Sequence, residues 1–398
     1  MTERSKGLGT RLTHGGRDPS RQYGAVNPPV VRASTVVFET VEAFERTRDH
    51  RQGSDRFGYG RFGTITTASL ESLASDLEGA ADSFLVSSGL AAITTALLAV
   101  LKAGDHLLMV DCAYLPTRTF CQRVLIPMGV EVDYVPSDSG GEIEARFKDN
   151  TKAIFLESPG SLTFEMQDLR AIAALAKPRG IVTLTDNTWA SPLGCRPLSL
   201  GIDISLHAAT KHFVGHSDAM LGIICCNEAT LTPVHRMAQA LGQAAGSEEA
   251  YLGQRGARTL EVRLARASES ALRICQWLQD RPEVARVLYP PLPSDPGHAL
   301  WQRDFNGACG LFSVVLAEGY EKPAVAAMLE GYDLFSIGAS WGGYESLVRT
   351  ETPVRTARTW TDPGQIVRYS IGLEDCDDLL ADLESGFQRL KTQAEGEL

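Results

Sequence analysis

The sequence predicts an α/β protein: a mostly parallel central sheet flanked by helices, followed by a smaller C-terminal α+β domain. Three observations carry this reading. Between about residues 65 and 235, short apolar runs alternate with helical segments. The runs are continuous rather than alternating, as expected of strands buried on both faces of a parallel sheet. Near residue 246 the rhythm changes to a long amphipathic helix followed by further strand-like runs, with the domain boundary around residue 255.

Taken in order, residues 1–60 are rich in Gly, Pro, Arg and Thr and lack periodicity, so they are expected to form an arm. Within and just beyond it, "YGAVNPPVVRASTVVFET" reads as extended chain and "DRFGYGRFGTITT" as a glycine-rich loop. Residues 61–255 form the expected α/β domain. Its strands are predicted at "SFLVSS", "HLLMVD", "AIFLES", "IVTLTD", "DISLHA" and "GIICC", with helices such as "LAAITTALLAVLKAG" between them. In such sheets, ligands collect beyond the carboxyl ends of the strands. Residues 256–398 form the expected C-terminal domain. Leading into it from "GSEEAYLG", Leu260, Leu264, Ala267, Ala271, Ile274 and Leu278 share one stripe, the spacing of a long amphipathic helix with acidic residues near its start. Beyond it, "CGLFSVVLAE", "YDLFSIGAS" and "QIVRYSIGLE" read as strands.

With 398 residues, 43% hydrophobic and 22% charged, the chain can build a core that needs no disulfide or metal. A net charge of −11 argues against duplex nucleic acid and anionic membranes as partners, while leaving room for a small anion held by a few local cations. The eight cysteines (Cys112, Cys121, Cys195, Cys225, Cys226, Cys275, Cys309 and Cys376) form no C-x-x-C pair and sit mostly in apolar runs. They are expected to be reduced, in a reducing compartment. The opening "MTERSKGLGTRLTHGG" lacks the apolar core of a secretion signal. No run approaches the roughly 18 apolar residues of a membrane span. The expectation is a cytoplasmic protein.

The chemistry starts at "IVTLTDNTW". Asp186 closes that buried run, where a carboxylate is costly unless a cation meets it. Alone, it reads equally as a helix cap or a loop anchor. Lys211, in "SLHAATKHFVGHSD", stands at the end of the next strand-like run, so amine and carboxylate face one crevice. Pyridoxal phosphate uses both. An amine condenses with its aldehyde, and a carboxylate keeps its ring nitrogen protonated so that the ring draws electrons from a substrate's α-carbon. Its phosphate needs a cradle. Ser87, Ser88, Gly89 and Leu90 follow a strand and open a helix, where amides and the positive dipole end meet a dianion. Many βα turns look like this, so the conjunction of the three features carries the weight. His207, His212 and His216 surround the lysine without the cysteines or carboxylates that would complete a metal site, and no G-x-S-x-G elbow precedes a helix as a serine hydrolase requires.

Seven stretches, "YGRFGTIT", "CAYLPTRTFC", "ESPGS", "TDNTWA", "HAATKHFVGHSD", "GASWGGYESL" and "RYSIGLE", occur in an order that resembles the Cys/Met-metabolism family of pyridoxal-phosphate enzymes over nearly the whole chain. The resemblance implies the type I, aspartate-aminotransferase-like fold. It makes Lys211 the coenzyme-binding amine and proton carrier, and Asp186 the partner of the ring nitrogen. Tyr114 would stack on the ring, although by itself it reads as a packed core aromatic. The phosphate would be held by Ser88, Gly89, Leu90 and Thr210. It would also be held by Tyr59 and Arg61 from the arm of a neighbouring subunit, arginine offering a planar fork to phosphate. Arg368 would clamp the substrate carboxylate, with Ser340, Trp341 and Ser161 as further substrate contacts. The alternative for Arg368 is a structural ion pair with a local acid such as Glu374. Two departures stand out. Ala208 replaces a serine common in the family, which shifts load to Thr210, the amides or Ser205, and Ser161 stands where synthase-like relatives have asparagine.

The text "SWGGYES" resembles the family's bacterial β-lyase branch, which implies cleavage of L-cystathionine to L-homocysteine, pyruvate and ammonia, a transsulfuration step toward methionine. A broader cysteine-S-conjugate lyase or cysteine desulfhydrase uses the same site, and γ-elimination or γ-replacement is the more distant alternative. A coenzyme-holding regulator without turnover is disfavoured by the presence together of Lys211, Tyr59 and Arg368. The shared site implies a homotetramer built from two active dimers.

Overall fold

The computed structural model describes residues 6–47 and 57–396. Residues 1–5 and 48–56, parts of the arm and the first two residues of the glycine-rich loop, lie outside the described residues, as do 397–398. The first sheet holds β1 (Asp82–Val86), β2 (His106–Val110), β3 (Glu131–Val135), β4 (Thr151–Glu157), β5 (Val182–Asp186), β6 (Ile204–His207) and β7 (Gly222–Cys226). Their order is β1-β7-β6-β5-β4-β2-β3. Neighbours from β6 to β3 run parallel, and β7 runs antiparallel to both β6 and β1. β2, β6 and β7 are buried throughout, which explains their unbroken apolar text. β3 escaped the sequence reading because it is a half-solvated edge strand, "EVDYV", with acids in its outer positions. The helices Ile65–Glu78, Gly89–Val100 and Leu169–Ala176 pack on this sheet.

The second sheet holds β8 (Val284–Leu288), β9 (Leu311–Leu316), β10 (Ser336–Ile337), β11 (Leu347–Glu351) and β12 (Ile366–Ser370), in the order β10-β11-β12-β9-β8. Only β10 and β11 pair in parallel. β11 was not read from the sequence because "LVRTE" carries Arg349 and Glu351, which pair with each other. "YDLFSIGAS" yields only the two residues of β10 before the chain turns toward Lys211.

The long amphipathic stretch is two helices, Ser247–Ala257 and Leu260–Gln279, broken at Arg258 and Thr259, so residue 255 falls inside the first. The break has a packing cause. A Cβ on Gly256 would lie 2.2 Å from the Phe213 carbonyl oxygen and 2.3 Å from that of Val214, so the helix ends pressed against the loop that carries Lys211. The arm is not wholly free. Its helix Leu8–His14 buries Leu12, donates from Arg11 Nε to Asp76 at 2.8 Å, and is held by Arg258 donating to Gly15 O at 2.8 Å. Farther along, Tyr23, Val26, Val37 and Val41 expose apolar surface. Among the described residues, no helix is long and apolar enough to cross a membrane. All eight cysteines are free and buried.

Candidate active site

The carboxyl ends of β4, β5 and β6 bring Glu157, Asp186 and the Lys211 turn to one rim of the first sheet. Asp186 Oδ1 accepts from the Thr188 amide at 2.9 Å and from its hydroxyl at 2.5 Å. The same hydroxyl accepts the Ala208 amide at 2.8 Å, tying the carboxylate to the lysine-bearing turn. Asp186 is therefore a loop anchor through Oδ1, while Oδ2 receives no hydrogen bond among the described residues. Burial raises its carboxyl above the ordinary range, and Thr188, His207 and Lys211 oppose that rise.

Lys211 Nζ donates to Ser340 Oγ at 2.5 Å and lies 5.3 Å from the centre of the Trp341 ring. Burial lowers the amine to about 8; the Arg368 charge acts in the same direction and Asp186 opposes it. Arg263 clamps the turn, its buried Nη2 donating to the carbonyls of His212 at 2.9 Å and Gly256 at 2.7 Å. Gly215, at φ +68°, lies so close that a Cβ there would sit 2.0 Å from Arg263 Nη1. His212 Nε2 donates to Trp189 O at 3.1 Å, and burial lowers the ring to about 3, which leaves it a neutral wall residue. Among the described residues, no group of three His, Cys, Asp or Glu side chains is placed to hold a metal ion.

Arg368, on β12, faces the same space from the second sheet. Its Nη2 donates to the carbonyls of Ala339 and Ser340 at 3.2 Å each, and Nη1 pairs with Glu351 Oε1 at 3.0 Å. Glu374 is not its partner. That carboxylate accepts instead from the Ser346 amide at 2.6 Å and hydroxyl at 2.8 Å. Arg349, registered opposite Arg368, also pairs with Glu351 Oε1, at 2.8 Å. Two guanidinium groups on one carboxylate leave a net positive charge, suited to a substrate carboxylate. Sequence reasoning missed Arg349 and Glu351; the signal was their i, i+2 spacing, which puts both on one strand face.

The turn expected to hold a phosphate is preformed. Ser88 Oγ accepts from the Ala91 amide at 3.1 Å, capping the helix Gly89–Val100 and leaving the Gly89 and Leu90 amides without an acceptor among the described residues. A Cβ on Gly89 would come within 2.4 Å of the Ala208 Cβ, so any side chain there would fill the cradle. Ser87 Oγ reaches Gln243 Oε1 at 3.5 Å. Thr210 Oγ1 is already engaged, accepting the Leu221 amide at 2.8 Å and donating to the Leu221 carbonyl at 3.2 Å. Ser205 is a correction. It is fully buried within β6, and its hydroxyl donates to Glu78 at 2.8 Å beside His207 at 2.6 Å from the same oxygen, so it supplies nothing to the cradle. The reason is strand alternation, which turns it to the face packed on the helix Ile65–Glu78.

Tyr114 opens the helix Leu115–Phe120 and is 45% exposed, which excludes a packed core role. Burial of its phenol raises its pKa, Asp186 and Glu157 add to the rise, and Arg368 and Arg349 oppose it, so the ring shares the space of those four groups. Ser161 is half-buried in the loop after β4, its amide bonded to Cys112 O at 3.0 Å. Tyr59 and Arg61 do not join Lys211 within the chain. Tyr59 bridges to Thr35, and Arg61 Nη1 donates to Gln239 O at 3.1 Å beside Phe62. An amine, a carboxylate with a free oxygen, a capped helix start that admits no side chain and an exposed aromatic ring together fit pyridoxal phosphate.

A family model described as Cys/Met metabolism PLP-dependent enzyme matches residues 9–388. The chain is 42% identical to the cystathionine β-lyase of Escherichia coli over 393 residues, covering 97% of this chain and 99% of that one. It is 42% identical to the cystathionine β-lyase of Bordetella avium over 393 residues, covering 97% and 98%. The solved cystathionine γ-lyase of Lactobacillus plantarum, complexed with L-serine, superposes with a TM-score of 0.88 at 30% identity, covering 97% of this chain and all of that one.

Proposed function

The chain belongs to the Cys/Met metabolism PLP-dependent enzymes, and from that premise we propose that it is a carbon–sulfur β-lyase cleaving L-cystathionine to L-homocysteine, pyruvate and ammonia. The observation that carries the reading is the Lys211 amine, lowered to about 8 and set between Ser340, Trp341 and the Arg368 clamp. Pyridoxal phosphate, when bound, withdraws electrons from the substrate's α-carbon. Lys211 takes the α-proton and delivers a proton to the departing sulfur, an exchange that a group titrating near neutrality performs in both directions. Arg368 orients the substrate carboxylate, and the Ser340 hydroxyl, bonded to Lys211, fixes the amine beside it. Trp341 walls the path along which the sulfur-bearing arm extends. Asp186 offers Oδ2 to the ring nitrogen, and the Gly89 and Leu90 amides meet the phosphate.

The exposed Tyr59 and Arg61, with the apolar surface of the arm, support a site completed by a second subunit, in a tetramer of two active dimers. Eight free, buried thiols support residence in the cytoplasm. The test is product identity. Purified protein incubated with L-cystathionine releases pyruvate and homocysteine; release of 2-oxobutyrate and cysteine instead assigns γ-cleavage and overturns the reading.

A further inference from the structure

Glu157 and Asp186 end adjacent parallel strands and are registered directly opposite each other, so their carboxyl groups leave the sheet on one face. Among the described residues, no cation forms an ion pair with Glu157. Arg355 acts on it only from a distance and is already committed to Glu165 at 3.2 Å, to the Asp111 carbonyl at 3.2 Å and to the Thr163 hydroxyl. Two side-by-side carboxyl groups with so little compensation do not both ionise. The surroundings choose between them. Asp186 receives two Thr188 donors and feels Lys211 and His207, whereas Glu157 Oε2 receives a single hydrogen bond, the Tyr114 amide at 2.7 Å. The other groups near Glu157 are the Gln167 side chain, bonded to its amide at 3.3 Å, and the Cys112 thiol, which lies 3.9 Å from its carbonyl. Neither supplies a charge. Burial, then the Asp186 charge, pushes the Glu157 carboxyl well above its ordinary range.

We propose that Glu157 is a positioning residue: an uncharged acid that accepts the Tyr114 amide and so fixes the stacking ring over the site, while the negative charge of the pair stays on Asp186. The spacing between ring and carboxylate then depends on one side chain, because Tyr114 hangs from Glu157 on β4 and Asp186 is its neighbour on β5. This rests on the coenzyme reading above but not on which sulfur substrate is cleaved. The charge assignment also has a readout that needs no coenzyme.

The experiment compares E157Q, E157D and E157A with the unaltered protein. Gln reproduces a neutral acceptor of the same length; Asp keeps the carboxyl but withdraws it from the Tyr114 amide. The infrared spectrum at about pH 8 contains a protonated-carboxyl band that E157Q removes, in coenzyme-free protein and holoenzyme alike. In the holoenzyme, E157Q keeps kcat, KM and the pH midpoint of the visible coenzyme band, whereas E157D and E157A reduce the induced circular dichroism of that band and lower kcat. A visible-band midpoint that falls by about one unit or more in E157Q shows that a negative charge was removed and overturns the charge assignment. Absence of the infrared difference does the same. Unchanged dichroism in both E157D and E157A overturns the positioning role. If E157A fails to fold, E157D and E157Q still decide the question. A protein with no visible band under any condition refutes the coenzyme reading instead, with the infrared comparison still deciding the charge on Glu157.

Discussion

The Lys211 amine on the rim of the first sheet donates to the Ser340 hydroxyl at 2.5 Å, and Ser340 belongs to the segment between β10 and β11 of the second sheet. The amine is thus held between the two sheets. The Ser340 carbonyl in turn accepts from Arg368 at 3.2 Å, so the proposed proton carrier and the proposed carboxylate clamp are joined through one residue.

Lys211→Ala should fold, because its backbone bonds to Ala208 and Gly215 do not involve the side chain. It should lose the yellow colour of the bound coenzyme and at least about 10³-fold in turnover, as expected when the proton carrier itself is removed. Borohydride reduction of the unaltered holoenzyme followed by peptide mapping should place a pyridoxyl group on the fragment carrying Lys211. Normal turnover by the alanine variant would remove the basis of the proposed function.

The pH dependence of coenzyme uptake follows from the lowered amine. Below about 8 Lys211 is mostly protonated and cannot attack an aldehyde; above it the free amine predominates. Uptake by coenzyme-free protein should therefore rise with pH through a midpoint near 8, more than two units below that of an ordinary lysine at about 10.4. Removing the Arg368 charge should move that midpoint upward, and Asp186→Asn should move it downward. Stopped-flow absorbance at a series of pH values measures all three.

Arg368→Ala removes one fork of the carboxylate clamp and leaves Glu351 to Arg349. KM for the amino-acid substrate should rise by about 10²-fold, the loss of a charge-assisted contact worth roughly 3 kcal/mol, with a smaller effect on kcat. Arg368→Lys should recover only part of the loss, since an ammonium lacks the planar fork. Equal KM values for all three proteins would place the carboxylate elsewhere.

Ala208 presents a methyl group where the Gly89 turn and the lysine turn nearly touch. Ala208→Ser adds a donor at that junction and should tighten coenzyme retention by about tenfold, the effect of a hydrogen bond worth about 1.4 kcal/mol. Dialysis against phosphate buffer, followed by the visible band, checks this. Unchanged retention would indicate that Thr210 gives up Leu221 and serves the phosphate itself.

Much of the fold was legible because its signals are local. Unbroken apolar runs marked β1, β2 and β4 to β7, and a Ser-Gly turn before an apolar helix marked the capped start of Gly89–Val100. The half-solvated β3 and the charged β11 were not legible, since neither has the apolar continuity of a doubly buried strand. In the site, Ser205 looked available because it lies close in sequence to Lys211, yet strand alternation turns it toward Glu78.

What the sequence determined alone was the placing of the candidate site groups at or just beyond strand ends: Asp186, Lys211 and the Gly89 turn. Each follows from a residue type read against its own segment. Only the tertiary structure decided the pairings: Arg368 and Arg349 with Glu351, Thr188 between Asp186 and Ala208, and Tyr114 with Glu157. Most of these partners lie on different strands or loops, and their choice is governed by distance and burial in three dimensions, which no local pattern of residue types encodes.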